Sequence, residues 1–282
     1  MVAQFNRTNF ISAFKQNLPF APTADQQRAI EAIAQFVEER FGRDVFVLKG
    51  YAGTGKTNLV SVLAKILTDF KWKTVLLAPT GRAAKVLSAY SQKPAQTIHK
   101  KIFKKELGAD GSMQFSVGEN LHKNTIFIVD EASMISLDGS SQAKMFDSLL
   151  ENLFEYVFSG DNCKILFVGD TAQLPPVGSE ESPALNVEFL KKTYSLDINF
   201  VELRQVARQS LESGILQNAT HLRELLDGEL NSIPKLKTFP DVVRLNGEET
   251  QEVLNEMYSK YGFDDVLVLT RSNKRANSLT RR

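Results

Sequence analysis

The octet Gly50-Tyr51-Ala52-Gly53-Thr54-Gly55-Lys56-Thr57 constrains this chain more than any other feature. Its spacing, G-x-x-x-x-G-K-T, lies between the apolar run Val45-Phe46-Val47-Leu48, which reads as a buried strand, and residues 59–67, where apolar side chains recur at helical intervals. Glycines in such a turn let successive backbone N–H groups point inward around an anion, and the helix that follows adds the positive end of its dipole. The octet therefore reads as a cradle for a nucleoside triphosphate. Gly50, Ala52, Gly53, Thr54 and Gly55 supply its backbone, Lys56 reaches the β- and γ-phosphates, and the Thr57 hydroxyl ligates Mg2+. A glycine-rich surface turn with an exposed lysine is the plain rival, and it leaves the flanking strand and helix unexplained.

The same change of period repeats along the chain. Ala29, Ile30, Ile33, Ala34 and Val37 recur at helical spacing ahead of the octet, and further buried-strand runs stand at Thr74-Val75-Leu76-Leu77, Ile126-Phe127-Ile128-Val129 and Ile165-Leu166-Phe167-Val168. Each is followed by loop residues and a helical pattern, the rhythm of an α/β protein whose parallel sheet is covered on both faces. The first lobe is expected over residues 23–100 and 124–209. A second lobe, expected over residues 210–282, has Val266-Leu267-Val268-Leu269 as its clear strand. Within residues 101–123 the rhythm breaks: Asp110-Gly111, flanked by Phe103, Leu107, Met113, Phe115 and Val117, predicts a small inserted hairpin. In residues 1–22, Phe10, Phe14, Leu18 and Phe20 predict a helix docked on the first lobe.

Parallel α/β sheets bind ligands at the carboxyl ends of their strands, and Asp130-Glu131 closes one of the apolar runs. In that place Asp130 holds Mg2+ through water and Glu131 orients or deprotonates the attacking water. The same two acids also fit an N-cap and a first-turn glutamate of a following helix. Gln173 follows another strand end, Val168-Gly169-Asp170, in a loop stiffened by Pro175 and Pro176; a carboxamide there can sense the terminal phosphate or be ordinary loop polarity.

Composition narrows the classes less. The 34 Lys+Arg and 33 Asp+Glu leave a net charge of +1, so affinity for a polyanion has to come from local clusters. Cys163 is the only cysteine, which excludes an internal disulfide and a cysteine-only zinc site, and its apolar neighbours predict a buried thiol. No apolar run approaches the ~20 residues of a membrane helix, and Asn6, Arg7, Asn9, Lys15 and Gln16 interrupt the start of the chain. No secretory signal and no membrane partner is expected, and a cytoplasmic location fits.

Taken in order, residues 50–57, Ala78-Pro79-Thr80, Thr97-Ile98-His99, Asp130-Glu131-Ala132-Ser133, Gly169-Asp170-Thr171-Ala172-Gln173-Leu174-Pro175 and Leu203-Arg204-Gln205-Val206-Ala207-Arg208 resemble the motifs of superfamily 1 helicases, especially the RecD- and Dda-like (SF1B) branch. The resemblance runs from Thr23 to the end of the chain. It implies a RecA-like P-loop sheet with a small inserted β-hairpin and a partial second RecA-like lobe, with ATP and Mg2+ as cofactors. It also implies a monomer acting on single-stranded DNA and duplex forks, with 5′-to-3′ travel. Gln26, in Thr23-Ala24-Asp25-Gln26, matches the family's adenine-reading glutamine, although Thr-x-x-Gln is equally a capping box for the next helix. Gln173 resembles the γ-phosphate sensor. Arg208 resembles the arginine that reaches the transferred phosphate, a task suited to its fork of donors, with a surface ion pair as the alternative.

The same resemblance implies contacts to single-stranded DNA from Pro79, Thr80, His99 and Lys100, although Thr80 also fits the cap of the next helix. Lys100, Lys101, Lys104 and Lys105 surround Phe103, a pairing that suits a sequence-tolerant grip and equally a solvated helix face. Phe115 matches the fork-splitting aromatic of a pin, unless Phe103, Met113 and Val117 bury it. Thr270, Asn273 and Asn277 resemble a stretch after a strand that touches DNA. Family members carry further motifs beyond this point, so the chain is expected to be a fragment of a longer helicase, with weak nucleotide binding and little or no unwinding of its own. An RNA helicase, an RNA-stimulated ATPase or a P-loop switch without motor action would share the nucleotide motifs.

Overall fold

The computed structural model describes residues 5–39, 43–107, 113–137, 148–176, 179, 181–205, 213–227 and 233–280. They fall into two units, Met1–Glu212 and Ser213–Arg282. In chain order the first unit comprises α1 (Arg7–Asn17), α2 (Ala24–Glu38), β1 (Asp44–Gly50), α3 (Lys56–Ile66), β2 (Lys73–Ala78), α4 (Gly81–Ser91), β3 (Ala95–Thr97) and α5 (Ile98–Ile102). The hairpin strands β4 (Phe103–Leu107) and β5 (Met113–Val117) follow, then β6 (Lys123–Val129), α6 (Leu149–Phe158), β7 (Asp161–Gly169), α7 (Val187–Tyr194) and β8 (Asp197–Leu203).

Six strands form one parallel sheet in the order β3-β2-β6-β7-β1-β8. Side chains alternate between its two faces. Phe46, Leu48, Ile126, Ile128, Leu166 and Val168 enter the core shared with α1, α2 and α3, whereas Val45, Val47, Phe127, Val129, Ile165 and Phe167 enter the core shared with α5, α6 and α7. Covering both faces removes the need for polar alternation, which is why these strands are written as continuous apolar runs. On the first face Phe10 and Phe14 of α1 are fully buried, and Phe10 meets Phe70 edge-on with ring centroids 5.0 Å apart. Cys163 is buried on the other face, where burial pushes its thiol above the ordinary range.

Two strands of the sheet were not foreseen. β3 is only three residues long, too short for a period to show. β8 is half-buried along most of its length, with Phe200 exposed and Leu203 buried, because it is the edge strand of the sheet and lacks the continuous apolar run of the central strands. The antiparallel hairpin is present, with Lys105 opposite Phe115 and Phe103 opposite Val117; Asp110-Gly111 lies outside the described residues.

The second unit holds α8 (Gly214–Asp227), α9 (Glu249–Tyr261) and α10 (Asn273–Thr280). Asp241 ties its first helix down by accepting the Gly214 N–H at 3.0 Å and the Ser213 hydroxyl at 2.9 Å. The expected strand at Val266-Leu267-Val268-Leu269 is corrected here: these residues take no regular secondary structure, with Leu267 and Leu269 61% and 85% exposed. A strand exists only with a hydrogen-bonding neighbour, and the described residues of this unit offer only an isolated bridge between Phe239 and Val242.

A buried ion pair lies at the edge of the first core. Lys164, on β7 and 1% exposed, faces Asp44 of β1 (Nζ to Oδ2, 3.0 Å), donates to the carbonyls of Phe36 (2.5 Å) and Glu39, and lies over the Phe36 ring at 4.9 Å. It locks the end of α2 to the start of the two central strands. Asp44→Ala leaves that ammonium buried with only part of its partners, so we expect a loss of about 3 kcal/mol, near the low end for a broken buried pair. Urea denaturation of the two proteins measures it.

Candidate active site

β1 ends at Gly50, and residues 51–55 turn the chain into α3. Gly53 (φ 77°) and Gly55 (φ 88°) take left-handed backbone that side-chain-bearing residues rarely adopt. The turn is supported from beneath by Gln26, which is 1% exposed. Its Nε2 donates to the Thr54 carbonyl (2.9 Å), its Oε1 accepts the Thr23 N–H (3.0 Å), and its own N–H donates to the Thr23 hydroxyl (3.3 Å). The capping box at the start of α2 is formed, and the same amide props the loop. A Cβ at Gly55 would stand 2.4 Å from Gln26 Nε2, and one at Gly50 2.8 Å from Thr54 Oγ1. Lys56 Nζ donates to the carbonyls of Gly50 (2.5 Å) and Tyr51 (3.0 Å), while Ala52, Gly53 and Thr57 are exposed.

The second wall follows from strand order. β7 lies between β6 and β1, so the carboxyl ends of the three bring Asp130, Asp170 and Gly50 to one edge. Asp130 Oδ1 accepts the Glu131 N–H (3.0 Å), and Oδ2 accepts the Tyr90 hydroxyl from α4. Burial, and then the charge of Asp130, hold the Tyr90 proton far more tightly than in a free phenol. Glu131 has φ 52° and makes no side-chain cap bond to the short turn Ala132–Met134, so the helix-capping alternative for Asp130-Glu131 is not realised. Left-handed backbone at a residue with a side chain costs ~1–3 kcal/mol and clusters at functional sites. Burial pushes the Glu131 carboxyl above its usual range, and Asp130 and Asp170 add to this, against a hydrogen bond from Gln173 and the charge of Lys56.

Gln173 is the hinge of this arrangement. Its Oε1 accepts the Ser133 hydroxyl (3.0 Å) while its amide serves Glu131. The loop that carries it is folded by Asp170, buried, which accepts the Ala172 N–H at 2.8 Å. The structure thus gathers residues 50–57, Asp130, Glu131 and Gln173. Arg208 lies outside the described residues.

Pro79-Thr80 and His99-Lys100 follow β2 and β3, on the same carboxyl edge but toward the far end of the sheet. Thr80 caps α4 by accepting the Ala83 N–H (3.2 Å), and His99 lies against Phe103 with ring centroids 5.7 Å apart; partial burial lowers its basicity. In the hairpin, Phe103 and Val117 pack on the second core, whereas Phe115, further out, is 41% exposed with Lys105 Nζ 5.8 Å from its ring centre. In the second unit the Thr270 hydroxyl donates to the Ser272 carbonyl (3.1 Å), Asn273 opens α10, and Asn277 is exposed on it.

Sequence reasoning missed three residues. Tyr90 and Ser133 hold Asp130 and Gln173, and Asp25 accepts the N–H groups of Arg204 and Gln205 (2.8 Å each), fixing the chain after β8. Ser133 lies inside a quoted motif and Asp25 beside Gln26, so position was a usable signal for both; Tyr90 offered none.

The profile of the AAA domain family matches residues 22–233. This chain belongs to that family, in its superfamily 1 helicase type. It is 31% identical over 199 residues to the ATP-dependent RecD2 DNA helicase of Deinococcus radiodurans, covering 71% of this chain and 24% of that protein. It is 29% identical over 204 residues to the ATP-dependent DNA helicase dda of Enterobacteria phage T4, covering 71% and 42%. The match therefore spans about a quarter of the one relative and about two fifths of the other. Among solved structures, the Pif1 helicase of Candida albicans aligns over 93% of this chain and 61% of its own, at 16% identity and a TM-score of 0.46.

Gly55→Ala places a Cβ both against Gln26 and in left-handed backbone. We expect nucleotide affinity to fall about tenfold or more, the scale of that strain. Adding Gln26→Ala should recover only part of the loss, because the positive φ remains. Titration with a fluorescent adenine nucleotide checks both variants.

Proposed function

We propose that this chain is the motor region of an ATP-dependent DNA helicase or translocase that moves 5′-to-3′ on single-stranded DNA. The observation that carries the reading is the link Ser133–Gln173–Glu131 beside Lys56 and Asp130, because it joins a hydrolytic carboxylate to a loop that can respond to the state of the nucleotide. The loop suits a phosphate: Gly53 and Gly55 take the left-handed backbone that lets successive N–H groups turn toward an anion, and its lysine and hydroxyl are the donors such a group needs. Thr57 and Asp130 would hold Mg2+, which when bound neutralises phosphate charge.

In this reading Lys56 leaves the Gly50 and Tyr51 carbonyls for the β- and γ-phosphates. Glu131 accepts a proton from the attacking water, and Gln173 changes partners as the terminal phosphate departs. Arg208 stabilises charge on the transferred phosphate. Gln26 acts chiefly through the shape of the loop, since adenine reading requires its amide to turn out of the bonds to Thr23 and Thr54. Pro79, Thr80, His99 and Lys100 track the strand, and Phe115 stacks at the fork, the part for which its exposure beside Lys105 suits it. Thr270, Asn273 and Asn277 supply further strand contacts from the second lobe.

Glu131→Gln is expected to lower DNA-stimulated phosphate release by about 10²–10⁴-fold while leaving nucleotide binding in place, and Lys56→Ala to remove nucleotide binding itself. Unchanged phosphate release in both variants would defeat the assignment. For the intact protein, displacement from 5′-tailed duplexes and not from 3′-tailed ones is the expected polarity.

A further inference from the structure

Tyr90 belongs to none of the motifs that mark the site, yet it touches the site's most constrained carboxylate. Its hydroxyl donates to Asp130 Oδ2, while Oδ1 accepts the Glu131 N–H at 3.0 Å. Both oxygens of Asp130 are therefore oriented by the chain itself. Tyr90 is anchored at its other end as well: its carbonyl accepts the Ser61 hydroxyl at 3.0 Å. Three residues on, Lys93 Nζ donates to the Ala64 carbonyl at 2.5 Å. Ser61 and Ala64 both lie on α3, the helix that opens with Lys56 and Thr57, and Ser61 stands one turn beyond Thr57 on the same face.

One residue thus ties Asp130 to the helix that carries Thr57. We propose that Tyr90 is a positioning residue for cation uptake: it fixes the Asp130 carboxylate relative to Thr57, the two sides of the Mg2+ site, and so sets how readily Mg2+ enters with nucleotide. This rests on the reading of Thr57 and Asp130 as the metal side of the phosphate cradle. Groups that orient a ligand without touching the metal commonly contribute 10–100-fold to metal affinity. Asp130 would hold its cation through water on that reading, so the lower end applies. A phenylalanine at position 90 would keep the ring and its packing and lose only the donor.

The test uses the whole chain, a fluorescent ADP, and titrations in EDTA and across Mg2+ concentrations. The proteins are the wild type, Tyr90→Phe, Asp130→Asn and the double variant, each also followed by thermal melting. In EDTA the wild type and Tyr90→Phe are expected to bind alike, and the Mg2+ concentration giving half of the metal-dependent gain to rise about tenfold in Tyr90→Phe. In the Asp130→Asn background the tyrosine change is expected to move nothing further. If Tyr90→Phe also melts early, this cycle still decides, because a loss of fold adds to Asp130→Asn and a loss of positioning does not. Superimposable Mg2+ titrations of the wild type and Tyr90→Phe overturn the proposal, as does an equal loss in EDTA and Mg2+, the signature of a merely structural tie. A wild type whose binding gains nothing from Mg2+ shows that the cation site itself is misread, and the proposal falls with it; that result is visible without any substitution.

Discussion

Where β1 leaves the sheet, buried on both faces between β7 and β8, its chain has to reach the start of α3 through residues 51–55. Two left-handed glycines make that reversal sterically possible, and the Gln26 amide fills the space a side chain at Gly55 would need. Gln26 is in turn placed by the capping box that starts α2, and α2 is held to the sheet by its apolar face and by Lys164 beneath its last turn. A single line of dependence therefore runs from a helix cap through a buried amide to the shape of an anion cradle.

The acids at the same edge follow a common rule. Asp130 is held by a phenol and a backbone N–H, Glu131 by a carboxamide, and Asp170 by the Ala172 N–H. Neutral donors orient a carboxylate and leave its charge in place, whereas a buried ion pair would spend that charge within the protein. Burial first, and then the neighbouring Asp130 and Asp170, raise the proton affinity of Glu131, and three carboxylates near one another make the edge attractive to a cation. The arrangement suits a site that takes up metal and polyphosphate together, each relieving the repulsion the other would meet alone.

How much of this is written in the chain depends on whether the determinant is local. The runs at residues 45–48, 126–129 and 165–168 are legible because complete burial makes each apolar at every position, and the phosphate loop because its glycines meet a backbone requirement at fixed offsets. β8 and Val266-Leu267-Val268-Leu269 show the limit. Both have residues that suit a strand, but one has β1 as a neighbour and the other has none among the described residues. Pairing is decided elsewhere in the chain. The same holds within the site. Asp130, Glu131 and Gln173 announce themselves at strand ends, but Tyr90 reaches Asp130 only because α4 packs against α3, and Lys164 is tolerated in a core only because Asp44 and two carbonyls converge on it.

The place of α4 gives these separate observations a mechanical sense. It is an 11-residue helix whose first turn is capped by Thr80 and whose last turn carries Tyr90, bonded to Asp130. A helix of that length is a rod of roughly 16 Å, stiff against the small shifts that matter in an active site. Its side contacts run to α3, so rocking it displaces the Tyr90 hydroxyl relative to both halves of the cation site at once. On the reading of Thr80 as a strand contact, a strand drawn against the Thr80 end changes the hold on Asp130 at the other. Gln173 provides the complementary route, from Glu131 outward into its loop. On the same reading, two links of opposite direction, one ending on each of two adjacent carboxylates, would let occupancy of the strand track and the state of the nucleotide bias each other, since a coupling free energy acts reciprocally on both sites.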